Sequence, residues 1–394
     1  MKIRVLYVLP AFTFGGTVFS TLNMIMMLDK EKYDISVLPM TYQGPVKDRY
    51  TGINILPEQI LLSALRGRIG KENRVYRKVL FFIIKAVVNI SRRIHCDITD
   101  SIYGFVAKRV QNKYEFDIVA SCQEGDSTYL ARHFKNVKRI AWFRNEYRVY
   151  STLLSPSQLK YEQKVYQQYD NIVCVSKITR DDFASFFPSI EERIVDIHNI
   201  QNVDSIISKS KEVVSDPFDK LIFNIVSVGR IAPQKRFPAI PRIAGELRNR
   251  GAKFAWYIIG DGNVDGEGDK LHDEIAKYNV KDCVFPIGSR LNPYPYIASA
   301  DLLVNTSSYE ACPRVVIEAK VLKTPVICAD FSSAKEFITN DYDGYIDTIE
   351  KLAEPISKMI MEKDTYSSIK TVCEQYKIDN EEINEKLMSI LQPK

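Results

Sequence analysis

Residues 305–325, NTSSYEACPRVVIEAKVLKTP, decide how the rest of the chain is read. Ahead of them Asp301-Leu302-Leu303-Val304 is a short apolar run of strand type, and Val315 to Leu322 predicts a helix that ends before Pro325. Pro313 suits the first helical position, where its missing N–H leaves nothing unsatisfied, and Cys312 then becomes a weak N-cap. Glu310 falls in the strand-to-helix loop and Glu318 more than one turn into the helix. At about 1.5 Å of rise per residue, carboxylates so placed can border one small polar ligand, one at each end. Between them lie the free N–H groups of the first helical turn, where anions bind readily. A ligand carrying hydroxyls and a phosphate fits that pattern.

With 394 residues and 45% apolar content the chain can bury a large core, and its length favours two domains. A net charge of +5, from 54 basic and 49 acidic residues, is a mild excess, and no nucleic-acid partner is expected from it. The seven cysteines (Cys96, Cys122, Cys174, Cys283, Cys312, Cys328 and Cys373) show no C-x-x-C pairing, which predicts buried, reduced thiols of a cytosolic protein. Met1 to Leu9 is too short an apolar stretch for a signal peptide and stops at Pro10. The longest apolar run, Val79 to Val88, is broken by Lys85 and falls short of the roughly 20 residues that a membrane span needs.

In chain order, Ile3 to Leu9 reads as a buried strand, Phe14-Gly15-Gly16-Thr17 as a turn, Val18 to Leu28 as a helix and Ile35 to Pro39 as the next strand. That is the opening of a parallel α/β sheet. Gly15 and Gly16 either let the backbone approach a ligand at the helix N-terminus or form a mere tight turn, and their spacing is not the G-x-G-x-x-G of a dinucleotide fold. The polar stretch from Val203 to Lys220, with Asp216-Pro217 inside it, reads as a linker. The expected domains are therefore residues 1–205 and 206–375, with 376–394 as a final helix.

Two further stretches carry alternatives. From Arg66 to Arg93 there are nine basic residues and one acid, Glu72. Lys71, Arg74, Lys78, Lys85 and Arg92 share a narrow helical arc, with Arg77 at its edge. Such a helix lies on an anionic membrane surface, or it is a core helix with one solvated stripe. Asp261-Gly262-Asn263-Val264-Asp265-Gly266 imitates half of a calcium loop, but its twelfth position is His272 where a bidentate Glu is needed. His95, His133, His198 and His272 have no spacing that suggests a metal or a triad, and they read as structural.

Glu310 and Glu318 with seven residues between them, followed by Pro325-Val326-Ile327 as the next strand, resemble the E-x7-E signature of family 4 retaining glycosyltransferases. The resemblance is dense over Val226 to Gly344 and looser over residues 1–205. It implies an α/β GT-B fold, two Rossmann-like parallel-sheet domains facing a central cleft, with the final helix, 376–394, returning to the first domain. It also implies that Arg230 and Lys235 clasp the two phosphates of a nucleotide sugar, stabilising the departing diphosphate more in the transition state than in the ground state. Glu310 would act at the donor sugar as a catalytic residue and Glu318 would accept from the ribose hydroxyls. Ala311, Cys312, Pro313 and Arg314 would line the donor, Ser289 and Arg290 the base, and Gly15 and Gly16 would face the donor diphosphate and the acceptor. The chain departs from the pattern at Arg144, where family members place a His facing the acceptor. Arg cannot serve as a base near neutral pH, but it could hold an acidic acceptor or pair with Glu146. Ala311 and Lys323 stand where glycine is usual or common. If the loop needs positive φ at Ala311, the strain is of order 1 to 2 kcal/mol.

The function implied by the resemblance is retaining transfer of a hexosyl residue from a nucleotide-diphosphate sugar, UDP-linked, to a glycan or lipid-linked acceptor in bacterial surface polysaccharide synthesis. No metal is required if Arg230 and Lys235 neutralise the diphosphate. The expected location is the cytoplasm, either free or peripheral on the inner face of the plasma membrane. A nucleotide-sugar epimerase, a non-catalytic partner of a transferase and a membrane-surface scaffold remain open on the sequence.

Overall fold

In the computed structural model the apolar runs assemble into two parallel sheets. Residues 2–13, 15–66, 75–93, 98–214, 218–219 and 221–394 are described, with backbone alone at 75–77 and 92–93. Expectations resting on Phe14, Lys71, Glu72, Arg74, His95, Cys96, Asp216-Pro217 and Lys220 lie outside the described residues. The first sheet holds β1 (Ile3–Leu9), β2 (Tyr33–Pro39), β3 (Asn54–Ile55), β4 (Ile118–Ser121), β5 (Lys138–Phe143), β6 (Asn171–Cys174) and β7 (Ile194–Asp196), in the order β3-β2-β1-β4-β5-β6-β7. The second holds β8 (Phe223–Val228), β9 (Phe254–Ile259), β10 (Val284–Gly288), β11 (Leu302–Asn305), β12 (Val326–Ala329) and β13 (Gly344–Asp347), in the order β10-β9-β8-β11-β12-β13. Val5, in the middle of β1, is paired with Ile35 on one side and Ile118 on the other. Helices cover both faces of such a sheet, so its central strands carry unbroken apolar runs, and Val5 to Leu9 are wholly buried. In each sheet the strand order reverses beside the first strand, between β1 and β4 and between β8 and β11. Open α/β sheets take ligands outside the carboxyl ends of their strands at such a reversal.

The chain divides into two compact units, Met1–Ile200 with Asn380–Lys394, and Gln201–Asp379. The final helix, Asn380–Ile390, belongs to the first unit. There Lys386 Nζ donates to Asp196 Oδ2 at 2.9 Å, and the Tyr33 hydroxyl reaches Met388 Sδ at 3.3 Å. The stretch expected as linker is partly helical instead, over Val203–Ser210. Asn202 caps this helix by accepting from Ser205 N at 2.9 Å, Ile206 is buried, and Asn292 Nδ2 donates to Lys209 O at 2.8 Å. Its polar composition hid a capped helix with a single inward apolar residue. Cys122, Cys174, Cys283, Cys312, Cys328 and Cys373 are free thiols and all are buried.

The first unit also buries a carboxylate. The helix Pro156–Tyr166 starts from a Ser155 capping box and turns Glu162 inward, with no exposed surface. Glu162 Oε1 accepts from the hydroxyls of Tyr129 and Tyr150, the latter at 3.1 Å, while Oε2 has no partner among the described residues. Desolvation pushes the carboxyl up to about 7, the two tyrosine hydrogen bonds opposing it. The folded value lies above the ordinary 4.5, so the folded state holds the proton more tightly. Stability contributed by this group is full at low pH, falls as pH rises through about 7 and stays low above it. Glu162→Gln is accordingly expected to gain stability over the wild type, by up to about 3 kcal/mol, above about pH 8, and to lose that gain below about pH 5. Urea midpoints at the two pH values measure it, and an equal difference at both would refute the assignment.

Candidate active site

Loops at the carboxyl edge of the second sheet are joined backbone to backbone. Gly229 N donates to Ile259 O and Gly260 N to Gly288 O, each at 3.0 Å. Gly260 has to be glycine, because a Cβ there would lie 1.8 Å from Gly229 O. The loop after β8 is in turn fastened to the loop after β11. Arg236 sits in the left-handed region at φ 50°, and donates from Nε to Thr306 O at 2.9 Å and from Nη2 to Ser307 O at 2.7 Å. Gln234 O accepts from Ser308 N at 2.8 Å, Gln234 Nε2 donates to Tyr309 O at 2.8 Å, and Lys235 O accepts from Thr306 Oγ1 at 2.6 Å.

This stitching brings Lys235 and Glu310 together. Lys235 Nζ forms an ion pair with Glu310 Oε1, which also accepts from Ser307 Oγ at 2.8 Å, and Glu310 O accepts from Ser333 Oγ at 2.5 Å. Arg230, on the same β8 loop, is exposed, and its side chain makes no hydrogen bond or ion pair among the described residues. A fixed ammonium and an unengaged guanidinium on one loop suit an anion with two phosphates. The sequence reading missed Ser307 and Ser333 because small hydroxyls in a loop carry no spacing signal.

The helix after β11 begins at Arg314 with Pro313 as N-cap, one residue later than expected, because Pro313 takes a non-helical ψ of 87°. Ala311, Cys312 and Pro313 are buried behind this start. Ala311 is not among the residues of positive φ, so the strain considered for it does not arise. Lys323 does adopt that conformation, φ 65°, at the end of the same helix, which gives the physical reason a glycine would be favoured there. Glu318 is buried, and its Oε1 accepts from Arg314 Nη2 at 2.8 Å and from the Tyr294 hydroxyl at 3.3 Å. Ser289 Oγ is hydrogen-bonded to Asp261 Oδ2. Arg290 folds back on Ser289 O at 3.2 Å and on the Tyr296 hydroxyl at 3.1 Å. The supposed calcium loop does other work, with Asn263 Oδ1 accepting from Gly268 N at 2.8 Å and Asp269 N at 3.2 Å to start the helix Glu267–Lys277. His272 lies inside that helix, and among the described residues no three His, Cys, Asp or Glu side chains gather as metal ligands.

In the first unit, Gly15 is the N-cap of the helix Gly16–Met27 after β1, and among the described residues beyond its chain neighbours no heavy atom lies within 4 Å of where its Cβ would stand. Arg144 follows β5. Two of its guanidinium nitrogens are directed at the fold, Nε to Cys122 O at 2.7 Å and Nη1 to Asn199 Oδ1 at 2.6 Å. Its backbone N–H donates to Glu124 Oε2 at 3.0 Å, and Asn145 Nδ2 donates to Glu124 Oε1. Burial raises the carboxyl of Glu124, a residue absent from the sequence reading although its place just beyond a buried strand was a signal.

Residues 211–375 match the sequence family described as "Glycosyl transferases group 1". The match falls within the second unit, Gln201–Asp379, and spans most of it. Curated relatives of the chain include the uncharacterized glycosyltransferase MJ1059 of Methanocaldococcus jannaschii, 26% identical over 200 residues, which are 50% of this chain and 48% of that protein. Another is the N-acetylgalactosamine-N,N'-diacetylbacillosaminyl-diphospho-undecaprenol 4-alpha-N-acetylgalactosaminyltransferase of Campylobacter jejuni, 24% identical over 217 residues, 54% of this chain and 53% of that one. The chain thus spans about half the length of these relatives. Among solved structures, Anabaena Alr3699/HepE in complex with UDP superposes with a TM-score of 0.73 at 15% identity, over 99% of both chains. That likeness shows a shared GT-B fold, in keeping with the two parallel sheets.

In the second unit, Gly260→Ala forces the β8 and β9 loops apart. It is expected to lower stability by about 1 to 3 kcal/mol, seen as a lower urea midpoint at unchanged slope. An unshifted midpoint would show that these loops separate freely.

Proposed function

We propose that this protein is a retaining hexosyltransferase, moving a sugar from a UDP-linked donor to a hydroxyl of a glycan or lipid-linked acceptor in bacterial surface polysaccharide synthesis. The observation that carries this reading is the meeting of Lys235 and Glu310, 75 residues apart, on stitched loops that also hold the unengaged Arg230. Support for the donor comes from the UDP bound by the structurally similar HepE, and support for the acceptor class from the diphospho-undecaprenol in the name of the Campylobacter relative.

In this scheme the diphosphate lies across Arg230 and Lys235, whose charges offset the negative charge that develops as the bond from the anomeric carbon to the phosphate oxygen breaks. Glu310, steadied by Ser307, faces the sugar, where it holds hydroxyls or supports positive charge at the anomeric carbon. Glu318, held by Arg314 and Tyr294, accepts from the ribose hydroxyls, and Ser289 and Arg290 border the base. Arg144 serves the acceptor side as a fixed positive charge. The acceptor oxygen attacks from the face that the leaving group vacates, so configuration is kept. Its proton passes to the departing phosphate oxygen, which makes a histidine at position 144 unnecessary. The two cations meet the diphosphate charge, so the scheme requires no metal ion.

Among the described residues Arg230 has no side-chain partner to lose, which makes its removal a clean test. Arg230→Ala is expected to leave the melting temperature unchanged and to lower kcat by about 10² to 10³. Near-normal turnover would reject the role. Thermal shift against UDP-, GDP- and ADP-sugars identifies the donor, since a ligand at a hundred times its Kd stabilises by about 2.7 kcal/mol.

A further inference from the structure

The described side chains on the helix Val75–Arg93 sort into two faces. Phe81, Val88 and Ser91 are buried, and the helix packs on its neighbour Ile60–Leu65. Val79, Leu80, Phe82, Ile83, Val87 and Ile90 are exposed instead, by 43% at Leu80 to 64% at Phe82. At 100° per residue these six occupy one continuous arc of about 160°, centred opposite Phe81 and Val88. Lys78 and Lys85 stand together on one flank, about 40° and 60° beyond the edge of that arc, and Lys85 Nζ lies 5.9 Å from the Phe81 ring centroid. A core helix with one solvated stripe is therefore not what forms, because the large apolar side chains themselves face outward.

Soluble proteins seldom leave so continuous an apolar face uncovered. The charge of the helix selects the cover, since Val75–Arg93 contains five basic residues and no acid. A second copy seated on this face by a twofold axis would oppose five bases with five more and offer no acid from the helix to pair them. No described helix is long and apolar enough to cross a membrane, so insertion across the bilayer is not the solution either.

We propose that this face seats the protein on an anionic lipid surface. The helix lies in the plane of the membrane with its six apolar side chains at the acyl boundary, while Lys78 and Lys85 extend from that flank to the headgroup phosphates. The proposal stands independently of sugar transfer, and its test reads vesicle binding alone. The full chain is floated with phosphatidylcholine vesicles and with vesicles that also contain phosphatidylglycerol. Binding is expected to the anionic vesicles and to weaken as salt is raised. Phe82→Ser, Ile83→Ser and Ile90→Ser together, all at exposed positions, are expected to weaken binding by at least about tenfold. Lys78→Gln and Lys85→Gln should each weaken it about fivefold on anionic vesicles alone. Failure of the wild type to float with anionic vesicles at low salt overturns the proposal, as does equal binding by the triple serine variant. Self-association in the absence of lipid that the serine substitutions abolish would assign the face to a second copy and overturn it as well.

Discussion

The ion pair between Lys235 and Glu310 depends on a backbone seam, and the arrangement of the second unit's site depends on that pair. Carbonyls of Thr306 and Ser307 accept from the Arg236 guanidinium, and Gln234 closes the seam at Ser308 and Tyr309. Holding a non-glycine residue at positive φ costs of order 1 kcal/mol or more, which these hydrogen bonds offset. A half-buried ion pair is itself weak evidence of stability, because desolvating both charges can exceed their attraction. A pair of apolar residues would join the two loops as well. The charges make sense as groups oriented for an anionic, hydroxylated ligand.

Carboxylates in this protein are distinguished by their surroundings. Glu310 faces an ammonium and a serine, and Glu318 a guanidinium and a tyrosine, so each has a charge partner. Glu124 and Glu162 are buried with hydrogen-bond donors, and burial raises both carboxyls. Glu124 joins the loops after β4 and β5 by receiving the Arg144 backbone and the Asn145 amide. Arg144, in its turn, reaches the loops after β4 and β7. A residue placed where a proton acceptor was expected thus acts as a cross-tie in the first unit, and it keeps its charge at every physiological pH.

The outward face of the helix Val75–Arg93 follows a different physical rule. The core of the first unit gathers large side chains inside, as in the aromatic group of Phe143, Tyr147, Tyr166, Phe183 and Phe187. Among the described side chains of this helix Phe81, Val88 and Ser91 are buried, which docks it but leaves much of its apolar surface for another environment.

Sequence alone determined many of the elements and, through the family resemblance, the fold class. Ile3–Leu9 was legible to the residue, and the glutamate spacing and the helix stop near Pro325 were readable too, because apolar runs, caps and proline act over a few neighbours. The helix Val203–Ser210 was not, since a single buried isoleucine gives no period to detect. Only the tertiary structure decided that Lys235 meets Glu310, that Glu162 faces tyrosines with one oxygen unpartnered, that Arg144 ties loops together, and that the apolar face of the basic helix looks outward. Those facts depend on which strands become neighbours and which helix face finds a partner. Such pairings join residues far apart along the chain, and no local pattern of side chains encodes them.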